Sequence, residues 1–233
     1  MPDHTVKAFT EELEAVAKEV ERMGGLAEAS VNDAIAAVGR RDSALAQAVI
    51  ARDPKIDAAQ REVERRAVKL FALRQPMAMD LREVLAAWRI ASDLERVGDL
   101  AKNIGKRALV LNQGDPHSLI KSIERMGKIT AAQLRQVLDA YGKKDVRSAV
   151  SVWFQDEDID AHYNSLFREL VTYMMEDPRM IGAGAHLMFI AKNIERIGDH
   201  ATNIAETVHY LVTGEQIATE RPKADTTSLG IDD

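Results

Sequence analysis

At 233 residues the chain can form one large or two small domains with a substantial core. The absence of cysteine excludes disulfides, thiolate metal sites and iron–sulfur clusters. A net charge of −6 without a concentrated basic face argues against nucleic acid as a general partner. Aromatic residues make up only 5%, while Ala, Leu, Glu, Lys and Arg abound, which leans the balance towards helix. The N-terminus carries no basic-then-apolar signal pattern. The longest near-apolar run, Met180 to Ala191, is interrupted by His186 and is too short for membrane insertion. A soluble protein is expected, free to dock on a membrane partner.

The first predicted helix carries a three-four seam through Val6, Phe9, Leu13, Val16, Val20, Met23, Ala27, Ala34 and Val38. It is expected to stop at Gly39, with Arg40 and Arg41 as favourable C-terminal cations. Asp42 or Ser43 then caps a second helix, which Pro54 should kink or break. That helix resumes through Ile56, Val63 and Leu70 and ends before Gln75-Pro76, and Pro76 can open the third helix. The cluster Asn112-Gln113-Gly114-Asp115-Pro116 is the best internal boundary.

After that boundary the pattern restarts. Glu124-Arg125-Met126-Gly127 echoes Glu21-Arg22-Met23-Gly24, and Gly142-Lys143-Lys144-Asp145 echoes Gly39-Arg40-Arg41-Asp42, both at an offset of 103. Residues 90–104, IASDLERVGDLAKNI, return as 190–204, IAKNIERIGDHATNI, with nine of fifteen positions identical. An offset this steady across three helices signals internal duplication. The expected fold is all-α: two tandem, internally duplicated antiparallel three-helix bundles, at 1–113 and 114–213. Residues 214–233 lose the periodicity and read as a disordered tail.

Each copy of the motif pairs an apolar seam with an acidic stripe. Ile90, Leu94, Val97, Ala101, Ile104, Ala108 and Leu111 form one seam; Ile190, Ile194, Ile197, Ala201, Ile204, Val208 and Leu211 form the other. Glu95, Asp99 and Asn103, with Glu195, Asp199 and Asn203, step by four along one face. The middle helices hold matching pairs, Asp53 with Asp57 and Asp156 with Asp160, beside the seam residues Ile56 and Ile159. Acids at this spacing repel by roughly 0.2–0.5 kcal/mol when exposed, and a bound cation is the simplest offset. Carboxylates and an amide from two packed helices suit Mg, Mn, Ca or Fe ions, and take Zn or Ni less selectively.

An ordinary solvated helix face also carries such pairs, and Asp53 before Pro54 reads equally as an N-cap. Four pairs at matching places favour the cation site. Gly98 and Gly198 permit a close approach, by a packing helix rather than an ion. Arg96 and Arg196 hold acids of the adjacent helix or form surface pairs. His200, facing Leu100 in the other half, is dispensable to the symmetric design, and Glu206 with His209 has no counterpart in Lys106 and Leu109. His162 and His186 read as packing or surface residues. Met174 and Met175 read as core filling, and Trp88 and Trp153 as core or groove residues. No phosphate loop, nucleophile elbow or His-Glu-x-x-His signature occurs, so no enzyme is expected. The competing reading is a carboxylate-bridged metal enzyme or a metal store.

The run Glu195-Arg-Ile-Gly-Asp-His-Ala-Thr-Asn-Ile-Ala-Glu206, its twin at 95–104 and Gln75-Pro-Met-Ala-Met-Asp-Leu-Arg82 resemble the PhoU family. These regulatory proteins accompany the phosphate-specific ABC transporter in bacteria. The resemblance spans roughly residues 5–213. It implies two similar three-helix bundles, metal binding at E/D-x-x-x-D motifs, a homodimer, and damping of the phosphate-starvation response from the cytoplasm. The partners it implies are the transporter's ATPase subunit and a membrane sensor histidine kinase. Carried over by position, the metal motif falls on Glu95, Asp99, Glu195 and Asp199, partnered by Asp53, Asp57, Asp156 and Asp160.

Overall fold

The computed structural model describes residues 2–74, 79–115 and 117–217. The elements are α1 (Pro2–Arg40), α2 (Ser43–Arg74), α3 (Met79–Leu111), α4 (Ile120–Lys143), α5 (Val146–Phe154), α6 (Asp156–Glu176), a 3-10 turn (Pro178–Met180) and α7 (Ile181–Thr213). No strand occurs among the described residues. The opening at Pro76 and the tail beyond Ile217 lie outside them.

The predicted seams form the core. Val16, Val20, Met23, Ala27, Ala34 and Val38 of α1 are fully buried, as is the α7 series from Ile190 to Leu211. The α3 series is buried from Ile90 to Ala108, and Leu111 packs at its margin. Ile56, Val63 and Leu70 bring α2 onto α1 and α3. Within each half the middle and last helices pack together, and the halves join through α1 against α4 and α3 against α7.

Three local expectations are corrected. Helix α1 ends at Arg40 rather than Gly39, and Arg41 takes the left-handed conformation at φ 55°. The Asp42 amide bonds the Ala37 carbonyl at 3.0 Å, and the Arg41 amide reaches Val38 at 3.4 Å, which closes a Schellman motif. Gly39 stays helical, and its missing side chain makes room for a neighbour: a Cβ there would lie 3.0 Å from Glu124 Cδ of α4. A left-handed arginine costs about 1–2 kcal/mol, offset by its guanidinium donating to the Asn112 and Gly114 carbonyls. Asp42, not Ser43, caps α2, accepting from the Leu45 amide at 2.9 Å.

Pro54 does not break α2, which runs unbroken from Ser43 to Arg74. Buried Val49, Ile56 and Ala59 on either side bind both segments to one seam, and this tertiary packing outweighs the local cost of proline. The interruption falls instead in the second half, at Gln155, between α5 and α6. The Gln155 carbonyl accepts from the Gln133 side chain of α4 at 2.8 Å and from the Asp158 amide at 3.2 Å. The third correction is Met175, which is 78% exposed; Met174, one helical step away, packs on Gly184.

Contacts between the halves are reciprocal. Gly24 of α1 lies under Leu138 of α4, and Gly127 of α4 lies under Ile35 of α1, each residue standing 103 positions from its counterpart. One chain thus carries an isologous contact of the kind two identical subunits make. The same economy holds inside each half, where Gly98 seats Ile56 and Gly198 seats Ile159. These glycines serve helix packing, as expected.

A Cβ on Gly127 would lie 2.7 Å from Ile35 Cγ1 and 3.0 Å from its branched Cγ2, so no single rotamer change clears it. Gly127→Ala gains about 1 kcal/mol of helix propensity but overpacks the joint between the halves at a cost of about 1–3 kcal/mol. A net loss in urea denaturation is expected. Gly25→Ala, which meets nothing within 4 Å, should instead gain stability.

Candidate functional site

In the first half, α2 and α3 present their acidic stripes to one another. Asp53 is buried, Asp57, Glu95 and Asp99 are half-buried, and Glu95 lies within electrostatic reach of the other three. Burial pushes the Glu95 carboxyl up; Arg96 opposes this, and Asp99, Asp57 and Asp53 reinforce it. Lys102 enters the group, its Nζ donating to Asp53 Oδ2 at 2.7 Å and to Asp99 Oδ1 at 2.5 Å. Burial alone would lower the Lys102 ammonium, but these two hydrogen bonds hold it above the ordinary lysine value. Arg96 is a surface residue, 3.4 Å from Glu95 and 3.8 Å from Asp99 of its own helix.

The second half is more deeply buried. Asp156, Asp160 and Glu195 are all inside, with Asp199 half-buried. Thr202 Oγ1 lies 3.1 Å from Asp156 Oδ1, tying α7 to the first turn of α6. Lys192 donates to Glu195 Oε1 at 3.0 Å and stands 4.8 Å from the centre of the Tyr163 ring. Burial pushes the Glu195 carboxyl up to about 7; Lys192 opposes the shift, while Asp199 and Asp160 add to it.

The two asparagines leave these groups. Asn103 is exposed, and Asn203 donates to Asp93 of α3 at 3.4 Å. The reason is angular. Four residues overshoot a 3.6-residue turn by about 40°, so two such steps carry the stripe some 80° around the helix. Asp93, absent from the sequence reasoning, also accepts from His200 Nδ1 at 2.9 Å. His200 is therefore a link between the halves rather than a dispensable side chain. Its signal was the mismatch with Leu100, one of six differing positions among the fifteen of the duplicated motif. Glu206 and His209 are not a ligand pair here: Glu206 accepts from the Trp153 indole at 3.0 Å, and His209 Nδ1 faces the Glu215 carbonyl at 3.0 Å.

The donor set suits a hard cation, being all oxygen, with a buried and unpartnered carboxylate oxygen in each half, Asp53 Oδ1 and Glu195 Oε2. Among the described residues, no three of His, Asp and Glu converge in a metal-holding arrangement. Side-chain ammonium groups lie against the acids in both halves.

Duplicated three-helix units with facing acidic seams define a class of all-helical, internally repeated proteins. A family model described as the PhoU domain matches residues 20–108 and 123–208, one copy in each half, and the chain belongs to the PhoU family. It is 58% identical over 229 residues to the "Phosphate-specific transport system accessory protein PhoU homolog" of Caulobacter vibrioides, covering 98% of this chain and 100% of that one. The Rhizobium meliloti protein of the same name is 52% identical over 226 residues, covering 97% and 95%. The crystal structure of PhoU from Pseudomonas aeruginosa superposes with a TM-score of 0.87 at 40% identity, covering 89% of this chain and all of that one. That of the phosphate transport system regulatory protein PhoU from Streptococcus pneumoniae gives 0.83 at 30% identity, covering 91% and 100%. Members of the family are accessory and regulatory proteins, not enzymes, which removes the metal-enzyme reading.

Proposed function

We propose that the chain is a cytoplasmic negative regulator of the phosphate-starvation response. It acts as a metal-associated adaptor, and as a homodimer, between the ATPase subunit of the phosphate ABC transporter and a membrane sensor histidine kinase. The observation that carries this reading is end-to-end similarity, 58% identity over 98% of the chain, to a phosphate-specific transport system accessory protein. No helix among the described residues is long and apolar enough to cross a membrane, which is in keeping with docking on membrane partners. The facing acids Asp53, Asp57, Glu95 and Asp99, and their counterparts Asp156, Asp160, Glu195 and Asp199, would hold the ion. Bound there, a divalent or trivalent cation would neutralise the seam and cross-link the middle and last helices of a half.

Deleting the gene should derepress phosphate-starvation genes in cells grown with plentiful phosphate, read by a reporter or transcript counts. Expression unchanged from wild type would overturn the regulatory reading.

A further inference from the structure

A cavity of about 310 Å³ opens where α1, α3 and the C-terminal ends of α4 and α7 meet, and none of the acids of the two stripes lines it. Leu13, Val16, Ala87 and Leu211 give it an apolar wall, and Glu14, Glu21 and Glu83 bring carboxylates to it. Lys144 is the one basic side chain in the lining, and it is committed to an ion pair with Glu83. Glu14 meets Lys18 only at 3.9 Å on the open surface. Glu21 has no ion pair among the described residues, and its Oε1 lies 3.6 Å from where a Cβ on Gly142 would stand.

The polar group inside is Tyr141. Leu134, Val137 and Tyr141 step by three and four along the buried face of α4, which carries the phenol inward until it is 8% exposed. Tyr141 lines the cavity, and its hydroxyl has no hydrogen-bond partner among the described residues. Burial, with the charges of Glu21 and Glu83 adding, pushes the phenol pKa up, so the hydroxyl keeps its proton and offers a neutral acceptor oxygen. A buried polar group left unsatisfied is destabilising, and the repeat does not require one here, since Val38 holds the matching place in the first half.

The duplication supplies a comparison. Glu14, Ala17, Glu83 and Leu211 answer to His117, Ile120, Ala183 and Leu111, which line a cavity of about 690 Å³ in the other half. The apolar places stay apolar, while the two acids become a histidine and an alanine. At these matched places the acidity belongs to the first cavity and not to the repeat. Among the described residues no three acids converge to hold a metal, and a small hydrated ion would leave the apolar wall against water. An aliphatic cation satisfies both parts: its methylenes cover the wall, and its charged head meets the carboxylates and the phenol oxygen.

We infer that this cavity binds an aliphatic ammonium or guanidinium group, with Glu21 and Tyr141 receiving the charged head. The group belongs either to a free amine or to a lysine or arginine side chain of a partner. The inference goes beyond the regulatory reading and does not depend on a bound metal.

The test is an NMR titration of the full-length protein with n-butylammonium chloride and with a capped lysine tripeptide, which presents the same ammonium on the same stem. Saturable binding is expected, weakened roughly tenfold by Tyr141→Phe and by Glu21→Gln. Glu124→Gln, which alters the counterpart of Glu21 outside the cavity, should leave binding unchanged. Tighter binding of the tripeptide assigns the site to a partner's side chain, and tighter binding of butylammonium assigns it to a free amine. The neutral analogue n-butanol should bind far more weakly than either. The inference is overturned if neither cation saturates, if n-butanol binds as well as butylammonium, or if both substitutions leave binding unchanged. Should Tyr141→Phe fail to fold, Glu21→Gln against Glu124→Gln decides alone, since both of those side chains reach solvent.

Discussion

Metal-free protein should lose stability as the pH is raised from about 5 to about 8, because the Glu195 carboxyl must then ionise in a buried place. Its folded-state value is pushed up to about 7 from an ordinary 4.5, chiefly by burial, with Asp199 and Asp160 adding to the shift and Lys192 opposing it. The sign follows from proton counting. Between 4.5 and about 7 the folded chain retains a proton that the unfolded chain has released. The folded state then binds more protons, so the unfolding free energy falls with rising pH. The contribution is fully present below the unfolded value and gone once the pH passes the folded one. At about 1.4 kcal/mol per unit, the loss is on the order of 3 kcal/mol. Glu95 acts in the same direction more weakly, since water reaches 23% of its side chain. Chemical denaturation in EDTA across this range measures the slope, and Glu195→Gln should flatten it. Added divalent metal should restore more stability at about pH 8 than at about pH 5, because only the ionised carboxylate is a ligand. Stability that is level or rising across this range would count against the buried, proton-holding Glu195.

What the sequence made legible is what depends on local periodicity and repetition. The seams of α1, α3 and α7 follow from three-four spacing, and the offset of 103 anticipates the reciprocal pairs Gly24–Leu138 and Gly127–Ile35. The facing of Asp53 and Asp57 towards Glu95 and Asp99 was legible too, since both stripes flank residues that pack together. The misreadings arose where a distant partner decided a local choice. Pro54 argues for a break, yet the seam carries α2 through it; nothing near Gln155 argues for one, yet Gln133 of α4 holds its carbonyl. Gly39 offers a stop signal, yet the left-handed turn comes two residues on at Arg41, and Gly39 instead makes room for Glu124 of α4. Asp93 and His200 meet only where α3 crosses α7, so no spacing within either helix brings them to notice. Lys102 escaped for another reason. Symmetry draws attention to shared residues, whereas the ammonium groups that meet the acids, Lys102 and Lys192, lie at positions the halves do not share.

Trp153→Ala should be among the most damaging single substitutions, at about 3–5 kcal/mol, because it removes the largest fully buried side chain of the protein. The loss falls on α5. Nine residues are too few for an independently stable helix, so α5 exists by its attachments. Asp145 caps it, accepting from the Arg147 amide at 3.0 Å, the Ser148 amide at 3.3 Å and the Ser148 hydroxyl at 2.7 Å. Ala149, Val152 and Trp153 are its buried anchors, and the indole donates to Glu206 of α7 at 3.0 Å. Phe154 meets the indole edge-on, with ring centres 5.0 Å apart. Truncation leaves a cavity and removes the one described side-chain bond from α5 to α7. It also loosens the segment that ends just before Asp156. Trp153→Phe keeps most of the apolar volume and forfeits the hydrogen bond, for a loss nearer 1 kcal/mol. Trp88→Ala is the internal control: that indole is 37% exposed and packs on Phe71 at 6.4 Å, so its removal should cost well under half as much. Urea denaturation followed by circular dichroism ranks the three without relying on the fluorescence of the residues being changed. Equal costs for Trp153→Ala and Trp88→Ala would mean that α5 is held by its cap and the Gln133 clamp rather than by its indole anchor.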